Sequence, residues 1–238
     1  MGKRLTGEER RHAILRAAIP LFARNGFNGT TTREIAKAAK VSEALLYKHF
    51  PSKDAIYSEL ETIAVRKQEI SQRVAGLEPS TETLVGVVYF LIAMIYEGPP
   101  PDHSGIPHDD MHRLMANSYL EDGTFARIFM ERNIKHWESF FQRCIQAAIA
   151  SEDMLADWIH PQARWWFAHH LGVAIGFLNL PEEQVIGYGF PLEKLLDQTV
   201  RFSLRGMGLT DEAIARYYKV EALETFRQSL FRTPTDHA

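Results

Sequence analysis

Five imidazole and carboxylate side chains lie within ten positions of the sequence and have the chemistry to ligate a metal ion: His103, His108, Asp109, Asp110 and His112. His108 and His112 are four positions apart, so they would share one face of a helix. The cysteines of a structural zinc site are missing, and no Glu follows the first His as in a metallohydrolase helix. A solvated helix start beside a proline-rich loop explains the cluster better, and a metal-dependent enzyme is kept only as a remote alternative.

The motifs of other enzyme classes are absent from the sequence. There is no Gly-x-Ser-x-Gly elbow, no Walker loop and no dinucleotide-binding glycine motif. Cys144 is the single cysteine and lies in an apolar helical pattern, which fits packing in a reducing cytoplasm. The longest apolar run, residues 84–96, is shorter than the roughly 20 residues of a membrane span and predicts a buried helix. We expect no enzyme, no cofactor and no membrane partner.

Positive charge is concentrated at the amino-terminal end. Residues 1–57 hold eleven Lys and Arg against five Asp and Glu, a balance of +6, whereas residues 58–238 hold sixteen against 25, a balance of −9. A basic segment on an acidic body suits a polyanionic partner. A solvated helical face without a partner explains the charge alone equally well, so the spacing of the residues has to decide.

Two short helices are predicted within the basic segment. A capping box formed by Thr31 and Glu34 begins the first helix, and Ser42 can cap the second. The second helix ends at His49, because a proline follows two positions later. Two short helices joined by a turn of a few residues are typical of a helix-turn-helix.

The helical period divides the second helix into two faces. The inward, apolar face consists of Val41, Leu46 and Phe50. The outward face suits the major groove, and its candidates for contacts with base edges are Ser42, Glu43, Ala44 and Lys48. The candidates for phosphate contacts, which fix register without reading sequence, are Thr32, Arg33, Tyr47, His49 and Lys53. Further cations for general attraction to DNA are Lys3, Arg4 and Lys40.

This pattern resembles the tetracycline-repressor (TetR) family of bacterial transcription regulators. Residue types and spacing agree over about fifty positions, most closely in Thr31-Thr32-Arg33-Glu34-Ile35-Ala36-Lys37-Ala38-Ala39, Val41-Ser42, Leu46-Tyr47-Lys48-His49-Phe50 and Lys53-Asp54. Lys40 departs from the family's frequent Gly at a turn that favours positive φ. The resemblance implies a DNA-binding head followed by a helical body that binds a ligand and dimerises.

Apolar periodicity predicts helices throughout the chain, and no run of strict alternation indicates strands. We predict an all-α protein with a helix-turn-helix DNA-binding domain at residues 1–52 and a helical ligand-binding and dimerisation domain at residues 53–238. A first helix should cover residues 7–25 with a kink at Pro20. The further predicted helices are 31–39, 42–49, 53–75, 81–97, 108–119, 122–150, 161–179, 191–207 and 211–231.

In two late segments, residues 161–180 and 191–207, apolar side chains cover more of the helix surface than a single core-facing side requires. A single helix-turn-helix makes too few contacts for useful specificity, so such proteins usually pair on two half-sites. We therefore predict a homodimer on a palindromic DNA operator, with these segments at the interface. Burial of both segments within one chain is the alternative.

Large flexible and aromatic side chains in the body suit a cavity for a small, hydrophobic effector. The candidate lining residues are Phe90, Met94, Met111, Met115, Trp137, Phe140, Phe141, Trp166 and His169. Polar groups to orient the effector are Asn117, Asn133, His136 and His169. An aromatic stripe at helical spacing is more often plain core, which would leave a constitutive DNA-binding regulator with a filled body. The TetR resemblance implies instead a repressor that releases DNA when an effector binds.

Overall fold

The chain folds into helices in the part that the computed structural model describes, which comprises residues 5–64, 68–99, 106–157, 159–183, 185–191 and 194–231. The predictions that concern residues or side chains outside this part are those on Lys3, Arg4, His103, Asn133 and His136. Apart from an isolated bridge between Met154 and Leu209, no strand pairing occurs in the described ranges. The predicted all-α class is confirmed.

The described residues form thirteen α-helices. The first seven are α1 (Gly7–Gly29), α2 (Thr32–Ala38), α3 (Glu43–His49), α4 (Lys53–Ala64), α5 (Gln68–Ala75), α6 (Thr81–Tyr96) and α7 (His108–Leu120). The remaining helices are α8 (Thr124–Asn133), α9 (Glu138–Ala150), α10 (Pro161–Leu178), α11 (Leu195–Gly206), α12 (Asp211–Tyr217) and α13 (Val220–Ser229). A short 3-10 turn, Lys135–Trp137, separates α8 from α9.

Local signals explain where the first helices begin and end. Both predicted capping boxes form, at Thr6 with Glu9 and at Thr31 with Glu34. In the second box, the side chain and backbone of Thr31 donate hydrogen bonds to the Glu34 carboxylate and thereby lower its pKa. Gly26 has φ 71° and ψ 179°, so regular helix ends before it, as predicted. Gly26 is the only residue of α1 whose dihedral angles are not helical. Pro20, where a kink was predicted, therefore keeps helical dihedral angles.

Two predicted long helices prove to be broken. The segment 122–150 is interrupted after α8, and the segment 211–231 at Tyr218 and Lys219. Neither break contains Gly or Pro. Ile134, Trp137 and Tyr218 are buried at the breaks, which indicates that packing of these side chains outweighs the local preference for continued helix.

The chain packs into two compact units. Unit 1 comprises residues 1–66 and 104–133, and unit 2 comprises residues 67–103 and 134–238. The predicted functional boundary after residue 52 does not coincide with this division, because α4, α7 and α8 pack with the amino-terminal helices. Whether residues 1–52 act as a separate DNA-binding domain stays a prediction.

Unit 1 is built around α1, which contacts α2, α4 and α7. The fully buried residues Ile14, Leu15 and Phe22 of α1 form the centre of its core. The Tyr57 ring meets the rings of Phe22 at 4.9 Å and Phe125 at 5.5 Å, so α1, α4 and α8 share one aromatic contact. The short helices α2 and α3 are thereby fixed to a wide support.

Unit 2 is built around α6, which contacts α9, α10, α11, α12 and α13. Residues 84–93 of α6 are buried without exception, as predicted for the longest apolar run. No helix in the described part of the chain is both long and apolar enough to cross a membrane.

Candidate nucleic-acid interface

The turn between α2 and α3 is set by backbone hydrogen bonds around Lys40. Lys40 has φ 54°, the left-handed conformation expected at this position. Its N–H donates to the Lys37 carbonyl at 3.1 Å, and the Val41 N–H donates to the Ala36 carbonyl at 2.9 Å. This pair of bonds is a Schellman motif, which closes α2 and directs the chain into α3.

The two faces of α3 are as predicted. Leu46 and Phe50 have no exposed surface, and Val41 is half-buried. The outward side chains are all exposed: Ser42, Glu43, Ala44, Tyr47 and Lys48. Ser42 accepts a hydrogen bond from the Leu45 N–H at 3.2 Å, which caps α3 and orients its first turn.

A contact between α2 and α3 joins two of the predicted phosphate ligands. The hydroxyl oxygens of Thr32 and Tyr47 are 3.0 Å apart and share a hydrogen bond. The Tyr47 side chain remains about half exposed. Both hydroxyl groups can therefore face one phosphate from a fixed position, and Arg33 and Lys40 are exposed on the same short segment.

Arg11 of α1 holds the end of α3. Its guanidinium donates to both carboxylate oxygens of Glu59 in α4 and to the carbonyl oxygen of His49. It also lies over the Phe50 ring, 4.1 Å from the centroid. Arg11 thus contributes to the orientation of α3 without belonging to its exposed face.

The structure gives Lys53 a role that sequence reasoning missed. Its ammonium donates to the carbonyl oxygens of Phe27 at 2.7 Å and Thr30 at 2.9 Å, and it lies 4.2 Å from the centroid of the Phe27 ring. Two of its three donors are therefore used within residues 26–31, which follow the regular part of α1 and are hereafter the connection from α1 to α2. A contact between Lys53 and a DNA phosphate remains a prediction.

Two polar residues of α7 and its end hold the same connection from the other direction. The Asn117 amide donates to the Ala23 carbonyl at 2.9 Å, at the end of α1. The carboxylate of Glu121 accepts from the N–H groups of Phe27 at 3.3 Å and Asn28 at 3.2 Å. A Cβ at Gly26 would lie 2.6 Å from this carboxylate and would displace it, and the positive φ of Gly26 favours glycine at this position.

The clustered imidazoles and carboxylates of the sequence lie at the start of α7. The rings of His108 and His112 are 4.4 Å apart between centroids, and Nδ1 of His108 is 3.5 Å from an oxygen of Asp109. Within the residues that the structure describes, no three His, Cys, Asp or Glu side chains come together as a metal-binding group. His103, which belonged to the predicted cluster, lies outside them.

Most of the predicted effector-binding residues meet in unit 2. A series of ring contacts of 4.0 to 6.5 Å between centroids, hereafter the aromatic series, joins Phe90, Trp137, Phe141, Trp165, Trp166 and His169. Phe140 contacts the series through the Phe141 ring at 6.3 Å. Trp165 was not predicted to bind effector, although it stacks on Phe141 with an angle of 6° between the rings.

The other predicted effector-binding residues are not members of the aromatic series. Met111 and Met115 are in α7 and belong to unit 1, as does Asn117, whose amide is used at the end of α1. Met94 is half-buried in α6 of unit 2. Effector binding by the nine candidate lining residues of the sequence analysis remains a prediction.

An all-α helix-turn-helix protein is the class that this fold and the exposed face of α3 define. Residues 14–60 match the family model described as bacterial regulatory proteins, tetR family. The resemblance to the TetR family is thereby confirmed, and the chain carries the DNA-binding segment of that family.

Two curated relatives are similar to parts of the chain. The regulator HbdR of Aromatoleum sp. (strain CIB) is 39% identical over 90 residues, which are 37% of this chain and 39% of HbdR. The repressor KstR2 of Rhodococcus jostii (strain RHA1) is 34% identical over 123 residues, which are 48% of this chain and 57% of KstR2. The chain thus spans 39% and 57% of the lengths of these two relatives, both of which are transcriptional regulators.

A solved structure has the same fold over most of the chain. AibR, in complex with isovaleryl coenzyme A and operator DNA, superimposes with a TM-score of 0.60, covering 81% of this chain and 97% of AibR. The identity is 18%, so this likeness concerns the fold.

Proposed function

We propose that the protein is a transcriptional repressor that binds a palindromic DNA operator as a homodimer and is released by a small, largely apolar effector. The observation that carries the proposal is the exposed face of α3, held on a helix-turn-helix within the segment that matches the TetR family. The repressor KstR2 and the operator-bound AibR support this choice of activity. In this proposal the protein acts on DNA in the cytoplasm.

In this proposal, base edges and phosphates are contacted by different residues. The residues that read base edges are Ser42, Glu43, Ala44 and Lys48, because they are exposed on α3 and are short or carry donors and acceptors. The residues that bind phosphates are Thr32, Arg33, Lys40, Tyr47, His49 and Lys53. The hydrogen bond between Thr32 and Tyr47 supports a shared phosphate for these two.

The surface of α10 and α11 supports the homodimer. Phe167 and Phe202 are 61% and 70% exposed, which is unusual for phenylalanine in a single chain. A surface groove here is lined by apolar Leu171, Ile175 and Phe202 and also by Arg201 and Arg205. Exposed phenylalanine side chains beside such a groove are what a second copy of the chain would cover.

The effector in this proposal acts by preferring one of two dimer states. It can change operator affinity only by the difference in its binding free energy between the states, commonly about 1 to 3 kcal/mol. AibR, solved with isovaleryl coenzyme A, supports a small-molecule effector for a protein of this fold. The alternative is a constitutive regulator, for which no compound of a hydrophobic library would raise the thermal stability.

Selection of bound sequences from random duplex DNA tests the proposal. The full chain should enrich a palindrome, and Lys48→Ala should change the base preferred at one position of each half-site. Lys219→Ala, an exposed change in unit 2, is the matched control and should leave the selected sequence unchanged. Enrichment of no sequence would refute the proposal, and a non-palindromic site would refute the homodimeric binding mode.

A further inference from the structure

The aromatic series of unit 2 contains buried polar atoms that have no hydrogen-bond partner in the part of the chain that the structure describes. Nε1 of Trp137, Nε1 of Trp165 and Nδ1 of His169 are buried and have no hydrogen-bond partner among the described residues. The three side chains are 6%, 1% and 4% exposed. The three side chains are linked through ring contacts with Phe141 and Trp166, so they belong to one cluster of rings.

The chemistry of the two indoles defines what is missing. An indole N–H donates a hydrogen bond and cannot accept one. Leaving such a donor buried and unpaired costs about 1 to 3 kcal/mol. Two donors of this kind in one apolar cluster therefore point to an acceptor that does not belong to the described residues, and a bound molecule would supply it.

The charges around the series favour a neutral acceptor. Burial, together with the neighbouring His170, lowers the pKa of His169 to about 4, so its ring is neutral near pH 7. The guanidinium of Arg164, next to Trp165 in the chain, already donates to the carbonyl oxygens of Ala156, Ile159 and Met207. A carboxylate buried against the indoles without a charged hydrogen-bond donor of its own is far more costly than a buried carbonyl group.

We propose that the effector is an apolar compound with a neutral carbonyl oxygen, such as a ketone or an ester, which accepts hydrogen bonds from Trp137 and Trp165. This inference rests on the proposed function in one respect, namely that an effector binds in unit 2. The rings of Phe90, Phe141 and Trp166 supply its apolar contacts, and half-buried Trp166 gives the series an edge at the surface.

Matched probes on two skeletons test the proposal with the full chain. The aromatic set is benzophenone, diphenylmethane and diphenylacetate, and the linear set is 2-nonanone, nonane and nonanoate. Affinity is measured from the quenching of tryptophan fluorescence and checked by calorimetry. On at least one skeleton the ketone should bind about tenfold more tightly than both the hydrocarbon and the carboxylate, which corresponds to about 1.4 kcal/mol.

Phenylalanine variants identify the donors. Trp137→Phe and Trp165→Phe keep an aromatic ring and remove the N–H, so each should lower the affinity for the ketone about tenfold and change that for the hydrocarbon less than twofold. Trp166→Phe is the control, because the Trp166 nitrogen is not among the buried unpartnered atoms. It should leave the ratio of ketone to hydrocarbon affinity unchanged.

Three results would overturn the inference. They are equal binding of ketone and hydrocarbon on both skeletons, tightest binding of the carboxylate, and an unchanged ratio in both Trp137→Phe and Trp165→Phe. Binding to selected duplex DNA is measured on the same preparations without any probe. Retained DNA binding with no preference for the ketone refutes only the choice of effector, whereas absent DNA binding refutes the proposed function.

Discussion

Lys40 shows how a single residue can combine a conformational cost with a functional gain. Its φ of 54° is strained for any residue with a side chain, by about 1 kcal/mol relative to glycine. Its ammonium group adds positive charge at the turn that precedes α3. Stability and DNA affinity should therefore respond in opposite directions to its replacement.

Lys40→Gly is expected to raise the free energy of unfolding by up to about 1 kcal/mol, because the strain disappears. Because one phosphate contact is lost, it should also make the fall of log DNA affinity with log salt concentration less steep, by about 0.9 in the slope. Urea unfolding and DNA titrations at several salt concentrations measure the two effects. Lys40→Ala is the control, since it keeps the strain and removes the charge. A less stable glycine variant would contradict the strain argument.

His169 makes the stability of the protein dependent on pH. Its pKa is lowered from the ordinary value of 6.5 to about 4, so between these pH values the unfolded chain binds a proton that the folded chain does not. The free energy of unfolding should therefore fall as the pH decreases from 6.5 to 4, by at most about 1.4 kcal/mol per pH unit from this group. His169→Gln should flatten the profile measured by urea unfolding at pH 7, 6 and 5. His12→Gln, at an exposed position, should leave the slope as it is.

At the scale of elements, the connection from α1 to α2 is held by side chains that come from α4 and from the end of α7. Lys53 binds its carbonyl groups and Glu121 binds its N–H groups. Phe27 is engaged on both sides, since its N–H is bound by Glu121 and its carbonyl by Lys53. The orientation of α2 and α3 therefore depends on helices that make no part of the outward face.

Glu121→Ala is expected to lower the free energy of unfolding by about 2 kcal/mol, because two backbone donors lose a charged acceptor. Operator affinity should fall as well, since α2 follows directly from this connection. Thermal unfolding and DNA titration of the full chain measure both effects. Glu121→Gln keeps an acceptor and should lose less than half as much stability. Unchanged DNA affinity in a destabilised Glu121→Ala would show that the connection does not orient α2.

Elements defined by local signals were predictable from the sequence, and those defined by distant contacts were not. The capping boxes fixed the starts of α1 and α2, and the helical period fixed the exposed face of α3. The breaks after α8 and at Tyr218 depend on side chains buried by tertiary packing, so no Gly or Pro marks them.

The same distinction applies to the candidate sites. The partners of Lys53 lie 23 and 26 positions away, and those of Glu121 lie 93 and 94 positions away. Neither role has a signal in the sequence near the residue. In unit 2 the aromatic composition indicated the series. The nitrogen atoms of Trp137 and Trp165 lack a partner among the described residues because of the tertiary packing around them, which composition does not define.

For the whole molecule, the exposed apolar surface of α10 and α11 is the feature with the largest consequence. Phe167→Glu combined with Phe202→Glu should convert the proposed dimer into monomers, because two buried charges would face an apolar partner surface. Analytical ultracentrifugation measures the mass, and Val220→Glu on α13 is an exposed apolar control that should remain dimeric. A protein whose mass is unaffected by the double change, or monomeric before it, would contradict this interface.

The contacts that fix the connection from α1 to α2 also limit which segments of the protein can be transferred into a chimaera. A chimaera that joins residues 1–52 to the body of another regulator would lack Lys53, Glu59 and Glu121. The N–H groups of Phe27 and Asn28 would lose their acceptor, and Arg11 its carboxylate. A transplanted head should therefore include α4 and α7 with Glu121, and designers who change the operator of such a regulator should instead substitute residues of α3 within the intact chain.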